Sequence, residues 1–232
     1  MPWSEFFTGS LIAVVLGLDR TAAFQFMLSR PIVAGPLTGL VLGDAWSGLQ
    51  IGALVELLWL GRLPVGAAIP PDDTQVTVAA TVLSVAAVSQ FDGFFIAWGF
   101  FCLLVAMPFG KLGQVFDRFV REHNTELLRR AEKGVAAGQT HAIEKWHLLG
   151  LVHFALASLL AYVGIVVPGW IVIHLIGLDL LGTVAQMKGW LLLAFPLVGT
   201  ATILATINVS RAVTLFSASF ITAFLLMWLI LP

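Results

Sequence analysis

The sequence predicts an all-α, polytopic membrane helical bundle whose first half mixes full-length helices with short re-entrant or broken ones. Three observations predict it. Of the 232 residues, 59% are hydrophobic and only 11% charged, whereas soluble domains are about half apolar and a quarter charged. The apolar residues fall in long runs without period-two alternation, which excludes a membrane β-barrel and leaves helices as the way to satisfy backbone groups in lipid. The runs also come in two lengths. Those at 93–110, 146–167, 189–207 and 211–231 approach the roughly 20 residues a span requires. Those at 6–18, 31–43, 46–60, 74–89 and 169–181 are shorter or interrupted, and they cluster in the first 90 residues.

Taken in chain order, the start "MPWSEFFTGS" has no basic region and no small-residue cleavage pattern, so no removable signal peptide is expected. A ladder of small residues follows, with Gly35, Gly39 and Gly43 spaced by four and Gly48, Gly52 and Glu56 continuing a second line. Residues four apart share a helix face, and small faces let membrane helices approach closely. Glu56 stands between "GALV" and "LLWL". A carboxylate at a helix centre costs about 2.5–3.5 kcal/mol on insertion scales, so it faces a cavity or a partner and is a functional candidate. The structural alternative is an ion pair with Arg62, which requires the helix to end near Gly61 and Pro64.

The stretch "LPVGAAIPPDDT" breaks the helix with Pro64, Pro70 and Pro71, and leaves backbone accessible at Gly66, Ala67 and Ala68. Asp72 or Asp73 then suits the N-cap of the next helix. Such backbone at membrane depth lines a cavity or is buried in protein, and transporter sites are built from broken helices of this kind; an exposed loop is the plainer alternative. Thr74, Thr77, Thr81 and Ser84 form a hydroxyl stripe at helical spacing, fit for a wet cavity or for interhelical hydrogen bonds. A weaker polar set comes late: Thr200, Thr202, Thr206, Asn208, Ser210 and Arg211.

Residues 111–147 hold seven of the twelve basic residues. Phe116, Phe119, Val120 and Leu127 give this stretch an apolar side, so it reads as an amphipathic helix at the membrane surface with a break at Gly134 to Gly138. Its Lys/Arg content places it in the cytoplasm, either as a solvated face or as a docking face for a cytoplasmic partner. It divides a single membrane domain into residues 1–110, with the candidate site, and residues 148–232, the C-terminal helices.

Several chemistries find no motif. The lone Cys102 makes no intrachain disulfide and suits apolar packing. The histidines show no i,i+4 pair and no H-E-x-x-H, so no metal is expected. "GLVLGD" lacks the first glycine of the intramembrane aspartyl protease motif, and no phosphate-binding glycine loop with a lysine occurs. No cofactor is expected, and a net charge of −1 suggests no nucleic-acid partner.

One stretch carries a resemblance. The order Arg30-Pro31, Gly39, Leu42-Gly43-Asp44, Gly52, Glu56, Gly66-Ala67-Ala68 and Pro71-Asp72, with a later "INVSRA" at 207–212, resembles the IIC component of the mannose/fructose/sorbose family of the bacterial phosphotransferase system. The resemblance implies a multi-pass subunit of the bacterial cytoplasmic membrane that translocates a hexose-type sugar. It implies a IID membrane partner of related fold, trimeric assembly, and cytoplasmic IIA and IIB phosphocarriers, with IIB phosphorylating the arriving sugar. The chain would then carry no catalysis of its own. By residue matching, Glu56 and Asp72 would accept hydrogen bonds from sugar hydroxyls, and backbone at Gly66 and Ala67 would line the site. Thr74 and Asn208 complete the expected contacts; Asp44, Gly52, Arg62 and Pro64 would shape the site.

The sequence departs from that family pattern at two places. Pro64 stands where members commonly carry an asparagine, replacing an amide that donates and accepts by a ring that does neither. Arg62 adds a charge where an uncharged residue is usual. Two other readings follow from the same residues: an ion-coupled secondary transporter using Glu56 and Asp72 as proton or cation ligands, and a diverged, non-transporting scaffold or regulatory subunit.

Overall fold

A computed structural model describes residues 1–61, 69–91, 95–139, 141–207 and 211–230. Among these residues the regular elements are helices: α1 (Trp3–Thr21), α2 (Pro31–Val41), α3 (Ala45–Trp59), α4 (Asp73–Phe91), α5 (Phe95–Ala106), α6 (Gly110–Ala136), α7 (His141–Val172), α8 (Leu178–Ile207) and α9 (Ala212–Ile230). Among the described residues three helical runs are long and apolar enough to cross a membrane: Asp73–Phe91, Ile96–Ala136 and His141–Met187.

The first half contains the expected short elements. Helix α2 has 11 residues and α3 has 15, so at 1.5 Å per residue they reach about 16 and 22 Å, less than the roughly 30 Å hydrocarbon core. They form an antiparallel hairpin, and the glycine ladder is its seam. A Cβ on Gly35 would strike the carbonyl oxygen of Gly48, one on Gly48 the carbonyl oxygen of Gly35, one on Gly39 that of Asp44, and one on Gly52 that of Pro31. Gly43 leaves the ladder: it turns the chain between the helices at φ +93°, with open space where a Cβ would stand. Asp44 caps α3, accepting from the Ser47 amide at 3.0 Å and from the Ser47 hydroxyl. The hairpin therefore leaves the bundle's polar end and returns to it.

Helix α4 is the centre of the bundle. Every residue from Thr74 to Ser84 is buried, with α1, α2, α5 and α7 packed around it. The hydroxyl stripe is buried among these helices. Thr77, Thr81 and Ser84 each donate to the carbonyl four residues back in their own helix, at 2.6–2.8 Å. Thr74 alone reaches another segment. Buried Gln75 ties α4 to α1 through Nε2 to the Ala13 carbonyl at 2.8 Å.

Helix α5 passes through a 3₁₀ turn, Met107–Phe109, into α6 without a loop. Gly110, Gly113, Val120 and Leu127 of α6 are buried at spacings of three and seven, and α6 packs antiparallel on α7, with Gly164 beside Leu112 and Gly134 beside Ala142. The predicted break at Gly134 to Gly138 falls at its later end: α6 continues through Gly134, and the chain turns at Gly138 with φ +78°. The short apolar run predicted at 169–181 is not a separate element. Helix α7 passes through a π turn, Ile173–Gly177, directly into α8, so Pro168 is absorbed inside the helix and ends nothing. Helix α9 packs on α8.

Candidate functional site

Five helix ends and one loop converge on a polar belt. At its core is Arg20, in the last turn of α1. Its Nη1 lies 2.6 Å from Asp72 Oδ1 and its Nη2 lies 3.2 Å from Asp73 Oδ1. Nη2 also donates to the Pro71 carbonyl at 3.2 Å. One guanidinium thus holds the three residues that lead into α4, in the forked geometry to which arginine is suited. Asp72 is the N-cap of α4, accepting from the Gln75 amide at 3.0 Å. Its own amide donates to the Gly110 carbonyl at 2.9 Å, and its side chain fills the space that a Cβ on Gly113 would take. Gln114 Nε2 donates to the Ile69 carbonyl. The end of α1 and the start of α6 therefore clamp residues 69–73 from two sides.

The second half of the belt is the start of the hairpin. Asp19, buried, accepts from the amides of Phe26 at 2.8 Å and Ser29 at 3.0 Å, which fixes the loop between α1 and α2. Thr74 Oγ1 donates to the Ser29 carbonyl at 2.8 Å. The next residue, Arg30, pairs with Glu56, and the other Glu56 oxygen accepts from the Ile32 amide at 3.3 Å. Glu56, near the end of α3, thus neutralises Arg30 and also satisfies an open amide in the first turn of α2. The Glu56 carboxylate is largely buried, whereas the Arg30 side chain is 46% exposed.

Of the residues expected from sequence, Glu56, Asp72 and Thr74 meet in this belt, bridged by Ser29-Arg30. Gly52 sits in the hairpin seam and Asp44 at the opposite end of α3. Arg62, Pro64, Gly66, Ala67 and Asn208 lie outside the described residues. The partner of Glu56 is Arg30, 26 residues earlier, where the sequence offered Arg62 as the nearest ionic candidate. Sequence reasoning missed Arg20, Asp19 and Gln114. The signal was present for the first two: "LDR" places two charges in succession at the end of an apolar helix, and ionisable residues in such helices take partners.

The belt gathers carboxylates, two guanidinium groups, a hydroxyl and helix-end amides within one layer, paired with one another. Such a set suits a polyhydroxylated ligand, because each sugar hydroxyl both donates and accepts. Among the described residues no group of three or more His, Cys, Asp or Glu is placed to hold a metal ion.

Comparison with known proteins identifies the chain. A family model described as the phosphotransferase system sorbose-specific IIC component matches residues 5–232. The fructose permease IIC component of Bacillus subtilis is 34% identical over 146 residues, 63% of this chain and 51% of that protein. The mannose-specific EIIC component of Escherichia coli K12 is 31% identical over 141 residues, 61% of this chain and 50% of that protein. The matches span about half the length of these curated relatives. A solved membrane protein shares the fold with a TM-score of 0.66 at 23% identity, covering 96% of this chain and 87% of that one. The mannose transporter ManYZ, solved by cryo-EM in complex with microcin E492, superposes with a TM-score of 0.54 at 26% identity and the same coverage. The hairpin seam, the belt and the match along the whole chain lead to one conclusion: this chain belongs to the sorbose-specific IIC component family of the phosphotransferase system.

Proposed function

We propose that the chain is the sugar-translocating membrane subunit of a phosphoenolpyruvate-dependent phosphotransferase system, carrying a hexose-type sugar of the mannose, fructose and sorbose class. A IID membrane subunit and cytoplasmic IIA and IIB phosphocarriers are its partners, in a trimeric assembly, and IIB phosphorylates the sugar as it arrives inside. Phosphoryl transfer belongs to those partners. The observation that carries the reading is the return of Glu56, by a hairpin too short to span, to the belt from which α4 begins at Asp72. The stretch of sequence with Gly66 and Ala67 connects these two carboxylates along the chain.

In this reading the sugar trades places with protein contacts. Glu56 accepts from sugar hydroxyls in place of, or together with, the exposed guanidinium of Arg30, and Thr74 offers a hydroxyl beside it. Asp72 keeps its bond to Arg20 and contributes its second oxygen. Asn208 lies in the later polar set and completes the contacts. Translocation is alternating access, with the hairpin and the clamped 69–73 segment as the parts that face the sugar.

The test is uptake of labelled mannose, fructose and sorbose in cells expressing the complex, with Glu56→Gln as the variant. Glutamine retains an acceptor oxygen for the Ile32 amide and removes the charge. Losing a hydrogen bond to a charged group costs about 1.5–3 kcal/mol, so uptake should fall roughly 10- to 100-fold while the assembled complex is still recovered. Uptake at the wild-type rate would remove Glu56 from the site. Uptake driven by a proton gradient without phosphoenolpyruvate would replace the phosphotransferase reading with ion-coupled transport.

A further inference from the structure

Away from the belt, the α6–α7 hairpin encloses a groove of about 400 Å³, within the range of about 300–1,000 Å³ usual for ligand clefts. Its walls are Leu127, Leu128 and Ala131 of α6 with Ile143, Leu151 and Phe154 of α7, and the end of α1 at Thr21 and Ala22 closes one side. Its polar lining includes Asn124 and His147. Asn124 donates to the Gly150 carbonyl at 3.3 Å and its oxygen meets His153 Nδ1 at 2.8 Å, so it is already engaged.

The mouth of the groove is marked by Trp146. Arg130 lies over this ring at 5.4 Å and Lys145 at 4.9 Å from its centroid. Glu126 faces Arg130 at 3.4 Å and Arg129 at 3.8 Å, one carboxylate shared by two guanidinium groups. Trp146 also stands where "HAIEKWH" gives way to "LLGLVHFALASLL", the boundary between a charged and an apolar stretch. Trp with Lys and Arg at such a boundary is the signature of the membrane–water interface. Beyond Ala22, the connecting loop exposes Phe24, Phe26 and Met27, with the two phenylalanine rings stacked at 5.8 Å, so the same end of α1 continues into an apolar surface.

We propose that this groove binds one anionic phospholipid, with an acyl chain between α6 and α7 and the phosphate against Arg130 and Lys145. The charge of the rim and the apolarity of the walls select an amphiphile whose charged end is negative and stays at the interface. Asn124 is engaged by His153, and His147 also lines the groove.

The test uses the purified subunit in its membrane complex, reconstituted in nanodiscs of phosphatidylcholine with and without phosphatidylglycerol, with retained lipid read by native mass spectrometry. The wild type should retain phosphatidylglycerol over phosphatidylcholine by roughly tenfold, since each Lys or Arg near an anionic surface contributes separately. Ala131→Trp fills the groove and should abolish retention. Leu128→Trp, at a more exposed wall position, serves the same purpose if the first variant fails to fold. Arg130→Gln with Lys145→Gln should keep a lipid in the groove but lose the preference for phosphatidylglycerol. Equal retention of both lipids by the wild type, or retention untouched by the groove-filling variants, would overturn the proposal. Capture there of a phosphocarrier segment that lipid fails to displace would do the same.

Discussion

Arg20 illustrates how one side chain can hold the start of a helix in place. It neutralises Asp72 and Asp73 and satisfies the Pro71 carbonyl, and these groups have little access to water in which to find replacements. Removing one member of a buried ion pair costs about 3–5 kcal/mol because the other charge is left uncompensated. Arg20→Ala should therefore lower the thermal midpoint of the purified protein strongly. Arg20→Lys should recover only part of the loss, since an ammonium is a point charge and cannot reach three acceptors in a fork. If the lysine variant matched wild type, the forked geometry would have no energetic weight. Glu56 is different in kind: its partner Arg30 is half exposed, so the charge of Arg30 still finds water when Glu56 is replaced. That difference is why Glu56→Gln tests function while Arg20→Ala tests the fold.

At the scale of elements, the hairpin depends on four glycines for contact and on a fifth for conformation. Gly48→Ala pushes a methyl into the Gly35 carbonyl, backbone that cannot rotate away, and overpacking of this kind costs about 1–3 kcal/mol. Because Glu56 meets Arg30 only when α2 and α3 are close, the same variant should reduce uptake. Gly43→Ala meets no neighbour but must hold φ near +93°, a left-handed strain of about 1–2 kcal/mol, and Gly43→Asn should recover part of it. Gly182→Ala, in the interior of α8 with open space around it, is the control and should be neutral or stabilising by about 0.5–1 kcal/mol. Thermal unfolding of the four variants checks the order. The hydroxyl stripe makes a second test: Thr81→Val removes only a bond back to its own helix, so stability and uptake should barely change, whereas a hydroxyl lining a wet path would be missed. The spacing of the glycines was legible in the sequence because a helix face repeats at four residues. The role of Gly43 was not, because the same spacing continues across a turn that periodicity does not register. The Glu56–Arg30 pair was likewise hidden, since a re-entrant hairpin brings together residues 26 positions apart and nothing local announces it. Asp72 as a cap was legible because capping is local; its clamp by Arg20 was not, because that contact joins the first helix to the fourth.

For the molecule as a whole, the packing ties the side of the N-terminal end to that of the charged segment. The beginning of α1 lies against the middle of α7, with the Tyr162 hydroxyl donating to the Phe6 carbonyl at 3.2 Å, while the end of α1 meets the start of α4 and the earlier part of α7 near Phe154 and Ser158. Helix α1 therefore runs antiparallel to α7, and the Trp3 end points away from the charged α6–α7 turn. If the lysine- and arginine-rich segment lies in the cytoplasm, the Trp3 end faces outward, and the polar belt sits toward the cytoplasmic half, as the proposed function requires. Cysteine labelling can read this directly, because Cys102 is wholly buried and gives little background. Ser4→Cys should react with a membrane-impermeant maleimide on intact spheroplasts. Gln139→Cys, in the turn between α6 and α7, should react only after the membrane is opened. The reverse pattern would place the amphipathic helix outside, and with it the polar belt, and would contradict the proposed function.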